Sequence, residues 1–282
     1  MRRAVIDIGT NTVKLLVADV RDRQIFPVVS KDTTTRLGEG VDETRRLSRA
    51  AIARTAQVIA DYVADAREHG AIEILAFTTS AARDAENRRE FLDAVHTKAG
   101  ISVETITGER EAEMIFRGVT SDPVFAIDRL LVMDIGGGSA EFILGQAGQV
   151  VHLKSLPLGA VRLTERFLEF ADLAEFLRTT FHRELTGFSG ARLVATGGTN
   201  TTLVRMLKGK VDHATFTLDE VRSLVMKLNA MSLAERRQVP GLPPERADII
   251  VAGGAVVLFA MEVLSVYELT VSARNLRYGA LL

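Results

Sequence analysis

The sequence contains no cysteine, which excludes disulfide scaffolds, thiolate catalysis and cysteine-ligated metal centres. Its five histidines stand singly along the chain, so a metal site built from histidines is not expected. Neither sign of charge is in excess, because 35 Lys and Arg stand against 36 Asp and Glu, a formal net charge of −1. This balance gives no indication of a nucleic-acid partner, and we expect none.

Long apolar stretches are also missing. The N-terminus reaches Asp7 too early for the apolar region of a secretory signal. The longest apolar run, residues 249–261, contains two glycines and is shorter than the ~20 residues that span a bilayer. We therefore predict a soluble cytoplasmic protein with no membrane contact, and the chain is long enough for one or two compact domains.

One pattern occurs twice in the chain. Strand-like runs at residues 4–9 and 131–136 both end in Asp-Ile-Gly. Each is followed by two more strand-like runs, with turn residues between them, and then by helical periodicity. The pattern predicts a mixed sheet covered by helices, built twice, with a boundary near residues 121–123, where a proline ends a helix. The alternative is two unrelated α/β domains that share a tripeptide by chance.

The periodicity also predicts individual elements that the structure can test. A strand is expected over residues 101–106, followed by a helix over residues 109–118. In the second half the predicted helices are residues 161–185, 199–207, 218–229, 233–239 and 244–264, followed by a strand at residues 268–272 and a terminal helix from Arg274.

The glycine-containing turns suit phosphate. Glycine lets backbone N–H groups approach a ligand closely, and neighbouring hydroxyls add donors. A third glycine-containing segment, which begins with Gly197 and Gly198, comes just before a helix, where an anion can bind. A tight turn with Thr199 as helix N-cap explains this segment equally well. The predicted phosphate ligands in these three segments are Gly9, Thr10, Asn11 and Thr12, then Gly136, Gly137, Gly138 and Ser139, then Gly197, Gly198 and Thr199.

Two acids and one arginine complete the candidate site. Asp7 and Asp134 end the two repeated strands, so they converge on one volume if the halves face each other across a cleft. Two carboxylates beside two phosphate turns predict a Mg²⁺ site. Arg83 follows a strand and a run of hydroxyls, and its guanidinium can bind phosphate bidentately. The alternative for Arg83 is a surface ion pair with Asp84 or Glu86.

Six stretches carry a likeness to a known family: residues 6–12, 36–40, 79–85, 107–112, 134–139 and 157–165. Together they resemble the Ppx/GppA family of exopolyphosphatases and guanosine pentaphosphatases, within the actin-like phosphotransferase superfamily. The resemblance implies two actin-like (ribonuclease H-like) α/β domains, each a mixed β-sheet flanked by helices, with an interdomain cleft. Their expected bounds are residues 1–120 and 121–282, with the terminal helix free to pack back on the first domain. Longer members carry extra helical C-terminal domains, so processive degradation of very long polyphosphate is in doubt here.

The resemblance also implies roles. Glu111 would be the general base that deprotonates the attacking water, Asp134 would position that water and Mg²⁺, and Asp7 would be the opposing metal ligand. Hydrolysis of a phosphoanhydride needs an oriented water and little covalent help from the protein. Glu109 and Glu113 are better explained as acids near a helix N-terminus.

The implied activity is Mg²⁺-dependent removal of terminal phosphate from inorganic polyphosphate, conversion of pppGpp to ppGpp, or both. The sequence does not separate these substrates, and it leaves a homodimer open. A sensor that binds alarmone or polyphosphate without hydrolysis, and an actin-like ATPase or sugar kinase, are the alternatives. Arg162 and Arg277 are weaker candidates for anion contacts, and Gly253 and Gly254 either lie against a nucleotide or allow close helix packing.

Overall fold

A computed structural model describes residues 1–127 and 129–282. The chain divides into two compact units. Unit 1 consists of Met1–Ser121 together with Leu276–Leu282, and unit 2 is Asp122–Asn275. Over these described ranges, no helix has the length and apolar character needed to cross a membrane.

Unit 1 contains a five-stranded sheet of order β3-β2-β1-β4-β5. Its first three strands form an antiparallel meander, and β1 also pairs in parallel with β4. The strands are β1 (Arg2–Ile8), β2 (Thr12–Arg21), β3 (Gln24–Thr34), β4 (Glu73–Thr78) and β5 (Glu104–Thr105). The helices are α1 (Val41–Thr44), α2 (Arg49–Glu68), α3 (Ser80–Asp84), α4 (Arg88–Ala99) and α5 (Gly108–Thr120).

Helix α2 shows why these residues fold as they do. Ser48 is its N-cap, and the serine Oγ accepts a hydrogen bond from Ala51 N at 3.1 Å, which satisfies one of the free amides of the first turn. Apolar residues at helical spacing, among them Ile52, Ile59 and Val63, are buried in the core of unit 1. The helix therefore covers one face of the sheet with its apolar side.

Unit 2 contains a six-stranded sheet of order β10-β11-β9-β6-β7-β8. Its strands are β6 (Arg129–Ile135), β7 (Ala140–Gln146), β8 (Gln149–Leu156), β9 (Arg192–Thr196), β10 (Thr215–Thr217) and β11 (Glu268–Val271). Its helices are α6 (Ala160–Arg166), α7 (Phe170–Glu184), α8 (Gly197–Lys208), α9 (Leu218–Asn229), α10 (Leu233–Arg236) and α11 (Ile250–Val263). Helix α11 is apolar on all sides and lies inside the core of this unit.

The predicted repeat is confirmed in the strand pairing of the two sheets. In unit 2, β6, β7 and β8 again form a meander, and β6 pairs in parallel with β9 as β1 does with β4. The second and third strands of each meander shift register at one point, between Val17 and Ala18 in unit 1 and between Leu144 and Gly145 in unit 2. Both irregularities lie at the same distance along the chain from the Asp of the repeated tripeptide.

Two long predicted helices are wrong because each is interrupted. The chain leaves α6 at Phe167, which is extended (φ −119°, ψ 122°), and its ring packs on Phe176 with centroids 5.0 Å apart. The predicted helix over residues 244–264 is a 3-10 turn, Pro244–Arg246, followed separately by α11. Periodicity did not reveal either break, because apolar residues continue across both.

Three shorter predictions also need correction. The strand expected over residues 101–106 shortens to β5, two residues long, and the helix over residues 233–239 shortens to α10. Helix α8 begins at Gly197, so Thr199 lies inside its first turn and Thr196 is the N-cap. The two glycines thus belong to the helix and not to a preceding turn.

The last helix, α12 (Leu276–Ala280), belongs to unit 1. A Cβ on Gly279 would collide with the backbone of Met114 in α5, so glycine permits the close approach of the two helices. Arg277 is 8% exposed, and its Nη1 donates to the carbonyl of Leu15 at 2.8 Å. This arginine, a weak candidate for an anion contact, therefore binds the backbone of β2.

Candidate functional site

The two predicted turns have the same backbone geometry. Gly9 N donates to Thr12 O at 3.1 Å, and Gly136 N donates to Ser139 O at 3.0 Å. A Cβ on Gly9 would lie 3.2 Å from Thr12 O, and a Cβ on Gly136 would lie 3.3 Å from Ser139 O. Each turn therefore has little room for a side chain at its first residue.

The first turn is held by the segment that follows β3. The amides of Thr35 and Arg36 both donate to Asn11 O at 2.9 Å, and Gly38 N donates to Thr10 O at 2.9 Å. Thr10, Asn11 and Thr12 are all buried. The predicted ligands of this turn thus lie in a fixed backbone framework within unit 1.

The second turn is held by the N-terminus of α6. Ala160 N donates to Gly136 O at 3.0 Å and Val161 N to Gly137 O at 2.9 Å, while Arg162 Nε donates to Gly138 O at 3.0 Å. In a trans peptide the N–H points opposite to the C=O. The amides after these three carbonyls, those of residues 137–139, therefore point away from α6, an arrangement that suits an anion.

Close approach explains the run of three glycines. A Cβ on Gly159, the N-cap of α6, would collide with the backbone of Gly137 and Gly138. The loop and the helix start are therefore in direct backbone contact, which larger residues would prevent. Arg162, a weak candidate for an anion contact, instead binds this loop.

Asp134 lies beside a second acid in unit 2. It pairs across the sheet with Glu141 of β7, so the two side chains lie on the same face at neighbouring positions. Glu141 is 1% exposed, and its Oε1 accepts a hydrogen bond from Ser155 Oγ at 2.9 Å. Glu141 was not among the predicted site residues, although a hairpin closed between Gly136 and Ser139 places it opposite Asp134.

Glycine is also required next to Asp134. Gly197 has φ +88°, and a Cβ there would collide with the carboxylate of Asp134. The acid therefore lies against the first residue of α8. The predicted ligands Gly197 and Asp134 are thus brought together.

The first turn of α8 contacts an arginine that sequence analysis missed. A Cβ on Gly198 would collide with the guanidinium of Arg246. A guanidinium at a helix N-terminus adds a positive charge to a place that already favours anions. No local pattern identified Arg246, because the contact joins residues far apart in sequence.

Asp7 has different neighbours from Asp134. Its cross-strand partner on β2 is Lys14. Burial raises the pKa of the Asp7 carboxyl above its usual value, and the charges of Lys14 and Arg277 act in the opposite direction. Asp7 thus lies among cations, whereas the position opposite Asp134 is occupied by an acid.

Glu111 is held in place by Arg83. Glu111 lies in the first turns of α5, is 8% exposed, and its Oε2 accepts a hydrogen bond from Arg83 Nη1 at 3.2 Å. The same Nη1 donates to Ile106 O, also at 3.2 Å. Arg83 therefore pairs with Glu111 here, and not with Asp84 or Glu86 as the alternative interpretation had it.

The neighbouring acids of α5 have other roles. The amide of Glu109 and the hydroxyl of Thr107 lower the pKa of the Glu109 carboxyl, as expected for an acid at a helix N-terminus. Glu113 is exposed. Neither arrangement resembles the buried, arginine-bound carboxylate of Glu111.

The remaining glycine pair serves packing within unit 2. A Cβ on Gly253 would come within 2.8 Å of the Thr199 side chain, and one on Gly254 within 2.7 Å of Val225. Of the two interpretations left open by the sequence, the contacts show close helix packing.

Three side chains of unit 2, those of Asp122, Asp212 and His213, also bring potential metal-ligand atoms close together. The ligand atoms of Asp122, Asp212 and His213 all lie within 4.8 Å of one another. However, Asp122 Oδ2 lies 2.8 Å from His213 Nε2 and 3.8 Å from Arg274 Nε. Burial raises the pKa of Asp122, but hydrogen bonds from His213 and the Val124 amide outweigh it and leave the pKa below its usual value. Nearby positive charge already balances this acid.

Two α/β units with the same meander and the same glycine turn define a chain of the actin-like class. A family model described as the Ppx/GppA phosphatase family matches residues 16–282. The chain belongs to that family.

The chain is similar to named relatives and to solved structures over nearly its whole length. "Exopolyphosphatase 1" of Mycobacterium tuberculosis is 32% identical, with 100% of this chain and 88% of that protein covered. "Exopolyphosphatase 2" of the same organism is 34% identical, with 99% and 97% covered. A crystal structure of an exopolyphosphatase from Cytophaga hutchinsonii has a TM-score of 0.90 at 28% identity, with 100% and 96% covered. The Aquifex aeolicus member has a TM-score of 0.83 at 30% identity, with 100% and 96% covered.

Proposed function

We propose that this chain is a phosphoanhydride hydrolase that releases terminal phosphate from inorganic polyphosphate. Membership of a phosphatase family and the names of the exopolyphosphatase relatives support this. The observation that carries the proposal is the second turn, whose three carbonyls are bound by α6 so that its amides point the other way. Such an arrangement suits phosphate oxygens.

Unit 2 supplies most of the proposed phosphate contacts. The amides of residues 137–139 bind one phosphate group, and the N-terminus of α8 with Arg246 binds negative charge beside it. In unit 1, the backbone of residues 9–12 is the corresponding contact. The prediction that both turns reach the same substrate stays a prediction.

The acids of unit 2 fit a divalent cation. Asp134 of β6 and the buried Glu141 of β7 are cross-strand neighbours. Two adjacent carboxylates that are shielded from water favour a bound cation. We propose that these two residues hold Mg²⁺, which when bound balances charge on phosphate oxygens. Asp7 was predicted as a ligand too, but its cross-strand neighbour is the cation Lys14, where Asp134 has Glu141. We therefore propose the pair of unit 2 as the ligand set.

Unit 1 supplies the proposed base. Arg83 Nη1 donates to one oxygen of the Glu111 carboxylate at 3.2 Å and places a positive charge beside it. In the proposal the ionised carboxylate accepts a proton from the attacking water, and a positioned base of this kind typically contributes ~10²–10⁴-fold. Arg83 is then a positioning residue for Glu111.

Guanosine pentaphosphate is the second proposed substrate, because it presents the same linear phosphoanhydride to the turns. A cytoplasmic location and a homodimer stay predictions.

Phosphate release from short polyphosphate, long polyphosphate, pppGpp and ATP, with and without Mg²⁺, tests the proposal. We expect Mg²⁺-dependent release from short polyphosphate, and a fall of ~10²–10⁴-fold in kcat for Glu111→Gln. The matched control is Glu113→Gln, an exposed acid on the same helix, which should behave as wild type.

Three results would contradict the proposal in different ways. Tight binding of polyphosphate without release would indicate a sensor. Transfer of phosphate from ATP to an added sugar would indicate a kinase. Release that Glu111→Gln leaves unchanged would remove Glu111 from the mechanism.

A further inference from the structure

Unit 2 contains a pocket that the proposed hydrolysis does not use. Its volume is about 240 Å³, and it lies where α6, α9 and α10 end and where α7 and α11 begin. Helix α6 separates it from the second turn, because the amides that hold the turn are at the start of the helix and Thr164, on the pocket, is near its end. The pocket is therefore a separate feature of this unit.

The pocket forms at the break between α6 and α7. Phe167 leaves the helix and packs on Phe176, while Phe170 packs on Phe259 with centroids 6.2 Å apart. Between the two phenylalanines, Leu168 is 95% exposed and lines the pocket. Phe167, Leu168 and Phe170 give the pocket an apolar and aromatic part of its lining.

Polar residues also line the pocket. Arg236 Nη1 donates to Ala247 O at 3.1 Å. Its Nε is buried and, among the residues that the structure describes, has no hydrogen-bond partner. Arg236 is also part of the pocket lining, and an acceptor on a ligand would gain a charge-assisted hydrogen bond from its guanidinium. The Asp248 carboxylate lines the same pocket and can accept from a donor on the ligand.

This combination selects the chemistry of the ligand. A free phosphate would satisfy Arg236 but would be repelled by Asp248 and Glu169, both on the pocket. A hydrocarbon would contact the apolar lining and offer no acceptor to the Arg236 guanidinium. A planar heteroaromatic ring with an acceptor beside a donor matches Arg236 and Asp248 and presents its face to Phe167 and Phe170.

The size of the pocket agrees with this class. Sites for drug-sized ligands span ~300–1,000 Å³, and this pocket is somewhat smaller. A single ring system or a nucleoside fits better than a nucleotide with several phosphates. We propose that the pocket of unit 2 between Phe167, Phe170 and Arg236 binds a heteroaromatic ring of the nucleobase type.

Nucleosides are the probes that test this proposal. Guanosine, adenosine and cytidine are titrated separately into the full chain, up to about 5 mM, and binding is followed by saturation-transfer NMR and calorimetry. Nucleosides contain no phosphoanhydride, so the outcome is independent of the proposed hydrolysis. We expect at least one nucleoside to bind and inorganic phosphate not to displace it.

Two variants assign the binding to this pocket. Arg236→Met keeps the aliphatic stem and removes the donor, and should weaken binding by about tenfold or more. Val251→Phe fills the pocket and should abolish binding. The matched control is Arg237→Met, the exposed neighbouring arginine, which should bind as wild type, and circular dichroism checks that each variant is folded.

The proposal is overturned if none of the three nucleosides binds wild type. It is equally overturned if folded Arg236→Met and Val251→Phe both bind as tightly as Arg237→Met, or if inorganic phosphate competes for the site.

Discussion

The two units carry the same hairpin turn after the same tripeptide, yet the acid that ends the strand has opposite neighbours. In unit 1 the residue across from Asp7 is Lys14, whereas in unit 2 the residue across from Asp134 is Glu141. The backbone repeat is therefore preserved while the local charge is reversed. The same fold element therefore carries an acid beside a cation in unit 1 and an acid pair suited to a cation in unit 2.

The largest expected effect comes from filling the space beside the acid of unit 2. Gly197→Ala places a Cβ against the Asp134 carboxylate at a residue with φ +88°. Displacing the acid should lower kcat for polyphosphate by about 100-fold or more, since small misplacements at a reacting centre are costly. Phosphate release measures kcat, and thermal unfolding measures stability.

Gly187→Ala separates backbone strain from contact with the acid. Gly187 has φ +89° and nothing within 4 Å of its Cβ position. The stability of this variant should fall by only about 1–2 kcal/mol, the cost of a left-handed backbone for alanine. Its kcat should equal that of wild type. Equal activity losses in both variants would show that contact with Asp134 is unimportant.

A smaller effect is expected from the arginine at the N-terminus of α8. Arg246→Met removes the guanidinium that lies on Gly198 and should raise KM for polyphosphate by about tenfold, as for the loss of a hydrogen bond to a charged group. Steady-state kinetics measure this. The control is Arg205→Met, which changes an exposed arginine of α8 and should leave KM as in wild type. An unchanged KM in Arg246→Met would remove Arg246 from the proposed phosphate site.

The smallest effect concerns the stability of unit 1. The raised pKa of Asp7 means that the folded protein holds this proton more tightly than the unfolded chain does. Stability from this group is therefore present at low pH and is lost as pH rises through the folded pKa. Asp7→Asn should raise Tm at neutral pH by about 2–4 °C for each kcal/mol gained.

The pH dependence supplies the control for that prediction. At acid pH, where Asp7 is protonated in both states, Asp7→Asn and wild type should melt together. Thermal unfolding without Mg²⁺ at both pH values tests this, and an Asn variant that melts lower than wild type at neutral pH would contradict it.

Much of the architecture was predictable because the repeat shows in the order of apolar and turn residues along the chain. Asp-Ile-Gly at the end of an apolar run, followed by turn residues and two more runs, predicts both meanders, and the proline after Ser121 marks where α5 ends. Glu141 could also have been predicted as a site residue, because a hairpin closed between Gly136 and Ser139 pairs it with Asp134.

Other features depend on contacts between distant residues. The breaks after α6 and before α11 follow from packing such as that of Phe167 on Phe176, which helical periodicity does not encode. Arg246 reaches Gly198, and Arg277 reaches Leu15, only through the tertiary fold. The pairing of Arg83 with Glu111 likewise joins α3 to α5.

Binding of Mg²⁺ to three variants tests the contrast between the two acids most directly. Calorimetry on Asp134→Asn and Glu141→Gln should show affinity for Mg²⁺ weakened by about 10–100-fold, while Asp7→Asn binds as wild type. If Asp7→Asn loses as much affinity as Asp134→Asn, or if both unit 2 variants keep wild-type affinity, the assignment of the cation to unit 2 is contradicted.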